Sequence, residues 1–290
     1  MALHKLEAFH VPNNVNEALA LFKQYEEVLL LGGGTFVRGL DARGLLGEVE
    51  ALIDIRKVGS SDVRIDAAEL EIGASTTFAR LAGMKELNQE PWLGALVDAL
   101  THPPVQVRNV ATIGGCIAAA CPFFDIPTSL LALDAQVVAR GAAGERRMPL
   151  SDLFAGMFAN SLAKGEIVTA VSLPVPQGRC ASGFVKLASN ANDLAIVNAA
   201  ARLTVDGKGI CTDARVALGG GVAESTVRSP TAERILTGVR IDAAVLQKAG
   251  EAAAGDIDPL SDHRASASYR KAMAKVMTRR AVEQAMARLS

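Results

Sequence analysis

Two short glycine-containing stretches have the residue types and spacing best suited to bind a ligand. The first comprises Gly32, Gly33, Gly34, Thr35 and Phe36, and the second comprises Ala111, Thr112, Ile113, Gly114, Gly115 and Cys116. Glycine lets a ligand approach the main chain, and successive N–H groups can converge on one anion. Each stretch also carries a threonine hydroxyl. Together they predict two walls of one diphosphate site, whereas a plain turn is the alternative for either stretch alone.

Established phosphate-binding patterns do not fit the first stretch. Gly34 and Gly39 have the separation of a P-loop, but Leu40 stands where that motif requires lysine. Gly32 and Gly34 begin a G-x-G-x-x-G pattern, but Val37 occupies the position of the third glycine. The sequence therefore favours a nucleotide cofactor held by main-chain donors, without a Walker lysine.

Three segments together resemble the FAD-binding medium subunit of the molybdenum hydroxylases, the family of carbon monoxide dehydrogenase and xanthine dehydrogenase. They are residues 32–36, residues 106–117 with the sequence QVRNVATIGGCI, and residues 122–127 with the sequence PFFDIP. The similarity extends over essentially the whole chain, from residues 9–12 to residues 279–281.

The resemblance implies an α+β fold with a two-subdomain FAD-binding (PCMH-type) domain, followed by a C-terminal domain with an antiparallel sheet and helices. We expect the FAD-binding domain over residues 1–176, with subdomains at about 1–57 and 58–176. The C-terminal domain, like that of carbon monoxide dehydrogenase flavoproteins, then covers residues 177–290. Pro174, Pro176 and Gly178 mark the boundary between them.

The resemblance also implies a function. The chain would be the FAD-carrying electron-transfer subunit of a heterotrimeric molybdenum hydroxylase or dehydrogenase. Electrons would leave substrate at a molybdopterin on a large subunit, pass 2Fe–2S clusters on a small subunit, and reach FAD and an external acceptor. Two such heterotrimers would form a dimer. The alternatives are a self-contained FAD-dependent oxidase or dehydrogenase with its own substrate pocket, and a partner-binding scaffold that has lost FAD.

In this family, the matching positions contact FAD. These positions are residues 32–36, residues 111–116, Asp125, Ile167 and Lys186. The resemblance implies that Asp125 binds a ribityl or ribose hydroxyl, and that Lys186 lies near the isoalloxazine and favours its reduced, anionic form. Helix capping is the alternative role of Asp125.

Two positions depart from the family pattern. Relatives usually have asparagine where Cys116 stands, so one side-chain contact to FAD is lost, and a core cysteine is the alternative reading. Some relatives have tyrosine where Leu194 stands, over the flavin ring. Leucine keeps the packing and loses the hydroxyl.

No catalytic or metal-binding residue is predicted. The histidines, His4, His10, His102 and His263, are far apart and match no metal-ligand pattern. No nucleophile with a base is recognisable, which fits a subunit whose cofactor performs the chemistry. The four cysteines are scattered, without a C-x-x-C pair, and we expect them to be reduced and buried.

Composition excludes several classes of partner. The net charge of −1 gives no field that attracts nucleic acid or an anionic bilayer, and aromatic residues make up only 4%. No apolar run approaches the roughly 18 residues of a membrane span. Because the first residues lack the apolar region of a signal peptide, we expect a cytoplasmic location.

The remaining chain supplies the elements that must position these residues. Apolar and alternating runs predict strands at residues 28–31, 52–55, 63–65, 70–72, 136–139, 147–150 and 167–173. Thr76 or Thr77 would cap the helix that follows the fourth strand. Beyond residue 178, we expect an antiparallel sheet of residues 181–187, 195–205 and 214–218, and helices over residues 242–254 and 268–289.

The last predicted helix has one apolar face and one basic face. The apolar face contains Tyr269, Met273, Val276 and Met277. The basic residues are Arg270, Lys271, Lys275, Arg279 and Arg280. A solvated face is the usual structure for such a run, and a docking surface is the alternative.

Overall fold

The computed structural model describes residues 3–42 and 44–289 of the chain, and a small parallel sheet comes first. Its elements are β1 (Ala8–His10), α1 (Val15–Leu21), β2 (Val28–Leu31), α2 (Thr35–Asp41) and β3 (Ala51–Asp54). The strands lie in the order β1–β3–β2. Each parallel connection contains a helix, because parallel neighbours require a crossover. The predicted strand at residues 28–31 is confirmed.

A second, antiparallel sheet has five strands. They are β4 (Val63–Ile65), β5 (Glu69–Gly73), β6 (Gln136–Gly141), β7 (Gly144–Pro149) and, after a hairpin, β10 (Ile167–Pro174). The hairpin consists of β8 (Phe154–Gly156) and β9 (Ala159–Asn160). The sheet order β4–β5–β10–β6–β7 makes β10 the central strand, which explains why it is buried along most of its length.

Short helices fill the chain between β5 and β6. They are α3 (Phe78–Ala82), α4 (Lys85–Gln89), the 3₁₀ turn Pro91–Leu93, α5 (Gly94–Thr101), α6 (Val105–Arg108), α7 (Ile113–Ala118) and α8 (Asp125–Ala132), and α9 (Leu150–Leu153) follows β7. Thr77 caps α3 by accepting a hydrogen bond from the Arg80 amide. Every residue of α8 is buried, because α5 and α8 share their core with both the second and the third sheet.

The third sheet is antiparallel and forms the C-terminal part of the fold. Its strands are β11 (Arg179–Leu187), β12 (Val197–Val205), β13 (Cys211–Gly219) and β14 (Val227–Arg228), in that order. Three helices follow: α10 (Pro230–Leu236), α11 (Ala243–Gly255) and α12 (Ala267–Arg288). One face of the sheet packs on α5 and α8, and the other packs on α12. Because both faces are covered, β12 has a nearly continuous apolar sequence in which Asn198 is completely buried.

The prediction for the last helix is wrong at two adjacent positions. Tyr269 is 44% exposed, whereas Arg270 is completely buried. The Arg270 guanidinium donates to the Ile196 carbonyl at 3.1 Å and to Asp262 Oδ1 at 2.8 Å. Those acceptors satisfy a charge that would otherwise be costly to bury. The other basic residues of the run are exposed, as predicted: Lys271, Lys275, Arg279 and Arg280.

The four cysteines are buried, and none of them forms a disulfide with another described residue. Burial raises the pKa of the Cys211 thiol to about 11 and raises that of Cys180 as well. Within residues 3–42 and 44–289, no helix combines the length and apolarity that crossing a membrane requires.

Candidate cofactor site

The structure brings the two glycine stretches into direct contact. A Cβ atom added to Gly33 would lie 1.9 Å from the Val110 carbonyl oxygen and 2.8 Å from the Ala111 Cα. A Cβ atom on Gly32 would lie 3.1 Å from Thr112 Oγ1. Only glycine allows such an approach of two backbones, so the two stretches form one continuous wall.

The first stretch leaves its main-chain donors available. Gly34, in the left-handed region with φ 71°, is the N-terminal cap of α2 and has no side chain with which to cap it. Within the part of the chain that the structure describes, no acceptor receives a hydrogen bond from the N–H groups of residues 32–36. Unpaired N–H groups at the start of a helix attract an anion.

The second stretch is not a turn but the first part of helix α7, with Thr112 as its N-terminal cap. The expectation that its amides converge on an anion is wrong for residues 113–116, because each of these four amides already has an acceptor in the protein. These acceptors are Thr76 O for Ile113 at 3.0 Å, Ala74 O for Gly114 at 2.9 Å, Thr112 Oγ1 for Gly115 at 3.2 Å and Thr112 O for Cys116 at 3.0 Å. This stretch therefore contributes packing surface and the Thr112 hydroxyl.

Both stretches line a cleft of about 1270 Å³, with the exception of Ile113. The prediction of a ligand contact at Ile113 is wrong, because its side chain is completely buried in the hydrophobic core. The volume of the cleft exceeds the roughly 300–1000 Å³ of ordinary small-molecule pockets and is suited to a dinucleotide. The cleft extends from the first sheet, at Leu29 and Leu30, to the C-terminal part of the fold, at Lys186 and Leu194. It thus has walls from all three sheets or their connections.

A buried polar cluster lies on the wall of the cleft beyond α7. Lys186 Nζ donates to Asp125 Oδ2 at 2.8 Å, and the two side chains are 5% and 7% exposed. Asn198 Nδ2 donates to Asp125 Oδ1 at 2.9 Å, and Thr128 Oγ1 donates to Asn198 Oδ1 at 2.8 Å. Each carboxylate oxygen of Asp125 therefore has one protein donor, and the Lys186 charge is balanced within the wall.

Asp125 does not cap its helix. Phe124 occupies the cap position of α8, and Asp125 lies in the first turn. A carboxylate there is favoured by the positive end of the helix dipole. Lys186 and Asn198 are directly opposite each other on β11 and β12, which explains how one acid contacts both. Sequence analysis missed Asn198, although an amide within the apolar residues 195–201 is a usable signal.

His102 also lines this part of the cleft and was not predicted there. Its ring packs against Phe184 with centroids 5.5 Å apart. Burial lowers the pKa of His102, while the nearby Asp125 carboxylate opposes that shift and Lys186 adds to it. The imidazole is therefore biased toward its neutral form.

Cys116 and Ile167 both line the cleft, but they differ in surroundings. Cys116 is buried in α7, and burial raises the pKa of its thiol well above the usual value, with Cys121 and Asp125 adding to the shift. Ile167 begins β10 and packs with Ala18 and Ile53 in a small core. Cys116 therefore offers an uncharged, unreactive surface to a ligand.

The far end of the cleft is formed by the turn at residues 190–194 and the loop at residues 258–266. Asp193 accepts from the Asn190 side chain at 2.9 Å, as expected of a turn residue. The Arg264 guanidinium lies 5.0 Å from the centroid of the Phe123 ring. Burial alone would raise the pKa of Asp262, but hydrogen bonds from Arg270 and from the Arg264 amide outweigh it and lower the pKa to about 2.

Comparison with known proteins agrees with this geometry. A family model for the FAD binding domain in molybdopterin dehydrogenase matches residues 4–176, and one for the CO dehydrogenase flavoprotein C-terminal domain matches residues 182–285. The chain belongs to the FAD-binding medium subunits of the molybdenum hydroxylases. It is thus a subunit of an oxidoreductase, and its cofactor is FAD.

Individual relatives align over nearly their full length. The chain is 34% identical to the 6-hydroxypseudooxynicotine dehydrogenase complex subunit alpha of Paenarthrobacter nicotinovorans, over 96% of this chain and 94% of that protein. It is 33% identical to the carbon monoxide dehydrogenase medium chain of Afipia carboxidovorans, over 97% and 96%. A solved structure of Cu,Mo-CO dehydrogenase superposes with a TM-score of 0.91 at 32% identity, covering 98% of this chain and 99% of that chain.

The residues of the cleft fit this cofactor. The amides of residues 32–36, which have no acceptor among the described residues, can donate hydrogen bonds to a negatively charged pyrophosphate. The close contact between Gly33 and Val110 leaves no room for a side chain beside these amides. The opposite end offers apolar and paired polar groups, as a flavin ring requires. No lysine or arginine is needed at the phosphates, which agrees with the missing Walker lysine at Leu40.

Proposed function

We propose that this chain is the electron-transfer subunit of a heterotrimeric molybdenum hydroxylase or dehydrogenase. Electrons would pass from 2Fe–2S clusters of a small partner subunit to FAD on this chain and on to an external acceptor. Substrate would be oxidised at a molybdopterin site on a large partner subunit, and two heterotrimers would form a dimer. A cytoplasmic location and a domain boundary near residue 176 belong to the same proposal.

One observation supports the proposal most directly. Main-chain donors at residues 32–36, which have no acceptor among the described residues, lie in the same large cleft as the balanced Asp125–Lys186 pair. The volume of the cleft, about 1270 Å³, suits a dinucleotide that reaches from the one to the other. The family membership of the chain makes FAD that dinucleotide.

Each predicted site residue that lines the cleft then has a physical role. The amides of Gly32, Gly33, Gly34, Thr35 and Phe36 would donate to the pyrophosphate. Ala111, Thr112, Gly114, Gly115 and Cys116 would form the opposing surface, to which Thr112 contributes a hydroxyl. Ile113 is completely buried in the hydrophobic core and has no part in this surface. Asp125, held by two donors, has lone pairs left to accept from a ribityl or ribose hydroxyl. Ile167 would provide apolar contact.

Bound FAD supplies the redox chemistry, because it takes up electrons singly or in pairs. Lys186 acts on that chemistry less strongly than an unpaired lysine would, since Asp125 neutralises its charge at 2.8 Å. The protein therefore positions the cofactor and shields it from water at this wall.

The proposal is tested with the whole complex purified from its natural source. We expect about one FAD for each copy of this chain. Stripping FAD should abolish reduction of an artificial acceptor while the partner's clusters remain reducible by substrate, and adding FAD back should restore it. Acceptor reduction that persists without FAD would contradict the electron route. Turnover of a small substrate by the isolated chain would favour the self-contained oxidase instead.

A further inference from the structure

Phe158 is held in a conformation that a bulky residue seldom adopts. It lies between β8 and β9 and has a φ of 58°, in the left-handed region. Side chains other than glycine, asparagine and aspartate are rare there, because the Cβ atom is crowded by the main chain. The ring is also 44% exposed, so packing within the described residues offsets only part of that cost.

The surrounding structure enforces this conformation. The Phe158 amide donates to the Ala120 carbonyl at 3.0 Å, and the Asn160 side chain donates to the Ala118 carbonyl at 2.7 Å. Both carbonyls lie at the end of α7, the helix that begins with the second glycine stretch. The hairpin is therefore attached to the cleft wall at two points, and its tip has a defined place.

The ring continues an aromatic row that starts beside the free amides. Phe36, the last residue of the first glycine stretch, packs edge-on against Phe124 with centroids 5.8 Å apart. On its other side, Phe36 contacts Phe158 with centroids 5.7 Å apart and planes tilted by 35°. All three rings line the cleft, and Phe158 is the most exposed of them.

We propose that Phe158 is a cofactor-contacting residue whose ring packs on bound FAD and covers the phosphate-binding amides from the solvent side. This inference rests on the proposed function. Strained residues persist where function benefits from their position, and here the benefit is an aromatic surface at the mouth of the cleft. The ring lines the same cleft as residues 32–36, so FAD is the occupant that its position favours over a partner subunit.

The first test measures the dissociation constant of FAD for the stripped full-length chain. We expect Phe158→Gly to raise the Kd by about tenfold to a hundredfold, the usual range for losing a stacked, buried ring. Phe158→Leu, which keeps apolar bulk and loses the ring face, should lie between Phe158→Gly and wild type. Ile65→Ala is the matched control, since Ile65 is 47% exposed and does not line the cleft.

A stability measurement separates cofactor contact from a purely structural role. Glycine relieves the strain at φ 58°, so Phe158→Gly without FAD should melt at a temperature equal to that of wild type or about 2 °C higher. With saturating FAD, the same variant should gain less thermal stability than wild type. A variant that melts lower without FAD and binds FAD with the wild-type Kd would overturn the inference.

A tryptophan at this position reports where the ring lies. Trp92, the one native tryptophan, is buried and therefore poorly accessible to acrylamide. In a Phe158→Trp variant, the part of the fluorescence that acrylamide quenches thus comes from the new side chain. We expect FAD to protect that emission from acrylamide. Protection that appears only when the partner subunits are added would assign the ring to a subunit interface and refute the inference. If wild type itself binds no FAD, the proposed function fails instead.

Discussion

The cleft has two glycine stretches of similar composition, residues 32–36 and residues 111–116, which differ in the state of their main-chain donors. Within the described parts of the chain, the first stretch donates none of its N–H groups to the protein, whereas residues 113–116 of the second donate all of theirs. The difference arises because the turn after β5 supplies the Ala74 and Thr76 carbonyls to the Gly114 and Ile113 amides, and because Thr112 accepts from Gly115 and Cys116.

This contrast shows that glycine serves two purposes here. At Gly33 the missing Cβ allows backbone contact and leaves donors for a ligand, while at Gly114 it allows α7 to pack on Ala74, where a Cβ would lie 2.6 Å from the alanine methyl. A glycine-rich motif thus indicates close approach, but not what approaches. Substitutions in the first and in the second glycine stretch should therefore separate loss of cofactor from loss of stability.

The largest effect is expected for Gly33→Ala. The added methyl would collide with the Val110 carbonyl at 1.9 Å, so the two stretches must move apart and the free amides lose their arrangement. We expect the purified chain to retain no FAD and to lose about 3 kcal/mol of unfolding free energy. Flavin absorbance and chemical denaturation measure the two quantities.

Two glycine variants serve as controls for that result. Gly207→Ala has no atom within 4 Å of the new methyl and should leave both quantities unchanged. Gly114→Ala should lower stability while the folded fraction still binds FAD. If Gly114→Ala removed FAD as completely as Gly33→Ala, the distinction between the two stretches would be wrong.

The next largest effect is expected at the buried polar cluster of Asp125, Lys186 and Asn198. Lys186→Met leaves the buried Asp125 carboxylate without its ion partner, and we expect a loss of about 3 kcal/mol in unfolding free energy. Asn198 still donates to Asp125, which keeps the loss at the low end for buried pairs. The double variant Lys186→Met with Asp125→Leu should lose less unfolding free energy than Lys186→Met alone. An additive double variant would show that the pair is not coupled.

A smaller effect is expected at Thr112, the one polar side chain of the second stretch. Thr112→Val removes the hydroxyl that accepts from the Gly115 amide and should cost about 1 kcal/mol of stability as a lost helix cap. The FAD dissociation constant should rise about fivefold, as for one hydrogen bond. Thr112→Ser keeps the hydroxyl and should restore both values. Equal losses in both variants would assign the effect to packing.

The smallest effect on FAD binding is expected at the far end of the cleft, where the consequence is a pH dependence of stability. The folded-state pKa of Asp262 is about 2, below its usual value of 3.8, so its ionised form stabilises the fold above pH 4 and this contribution is lost as the pH falls toward 2. Asp262→Asn should flatten that part of the acid unfolding curve. FAD binding at neutral pH should stay near wild type, since the Asp262 carboxylate accepts from Arg270 and Arg264 rather than from the glycine stretches. An unchanged acid slope would contradict the lowered pKa.

Much of the fold could be predicted from local patterns. The strand Val28–Leu31 is predicted because an apolar run stops at three glycines. The strands of the third sheet are predicted because their apolar runs are visible in neighbouring residues alone. The helical pattern gave the wrong exposure for Tyr269 and Arg270. Periodicity shows which residues share a face of the last helix, but not which loop packs on that face. Asp262 and Ile196, which stabilise the buried Arg270, come from other parts of the chain.

The candidate site divides in the same way. Residue types alone determined that residues 32–36 and 111–116 permit close backbone approach, and that no Walker lysine is present. Tertiary structure decided that the Ile113 and Gly114 amides are not free, because their acceptors belong to residues 76 and 74. The Gly115 and Cys116 amides donate to Thr112 within the same stretch. Tertiary structure also paired Asp125 with Lys186 and Asn198, which are 61 and 73 residues away. Hydrogen-bond partners between distant segments depend on packing, and no local pattern contains that information.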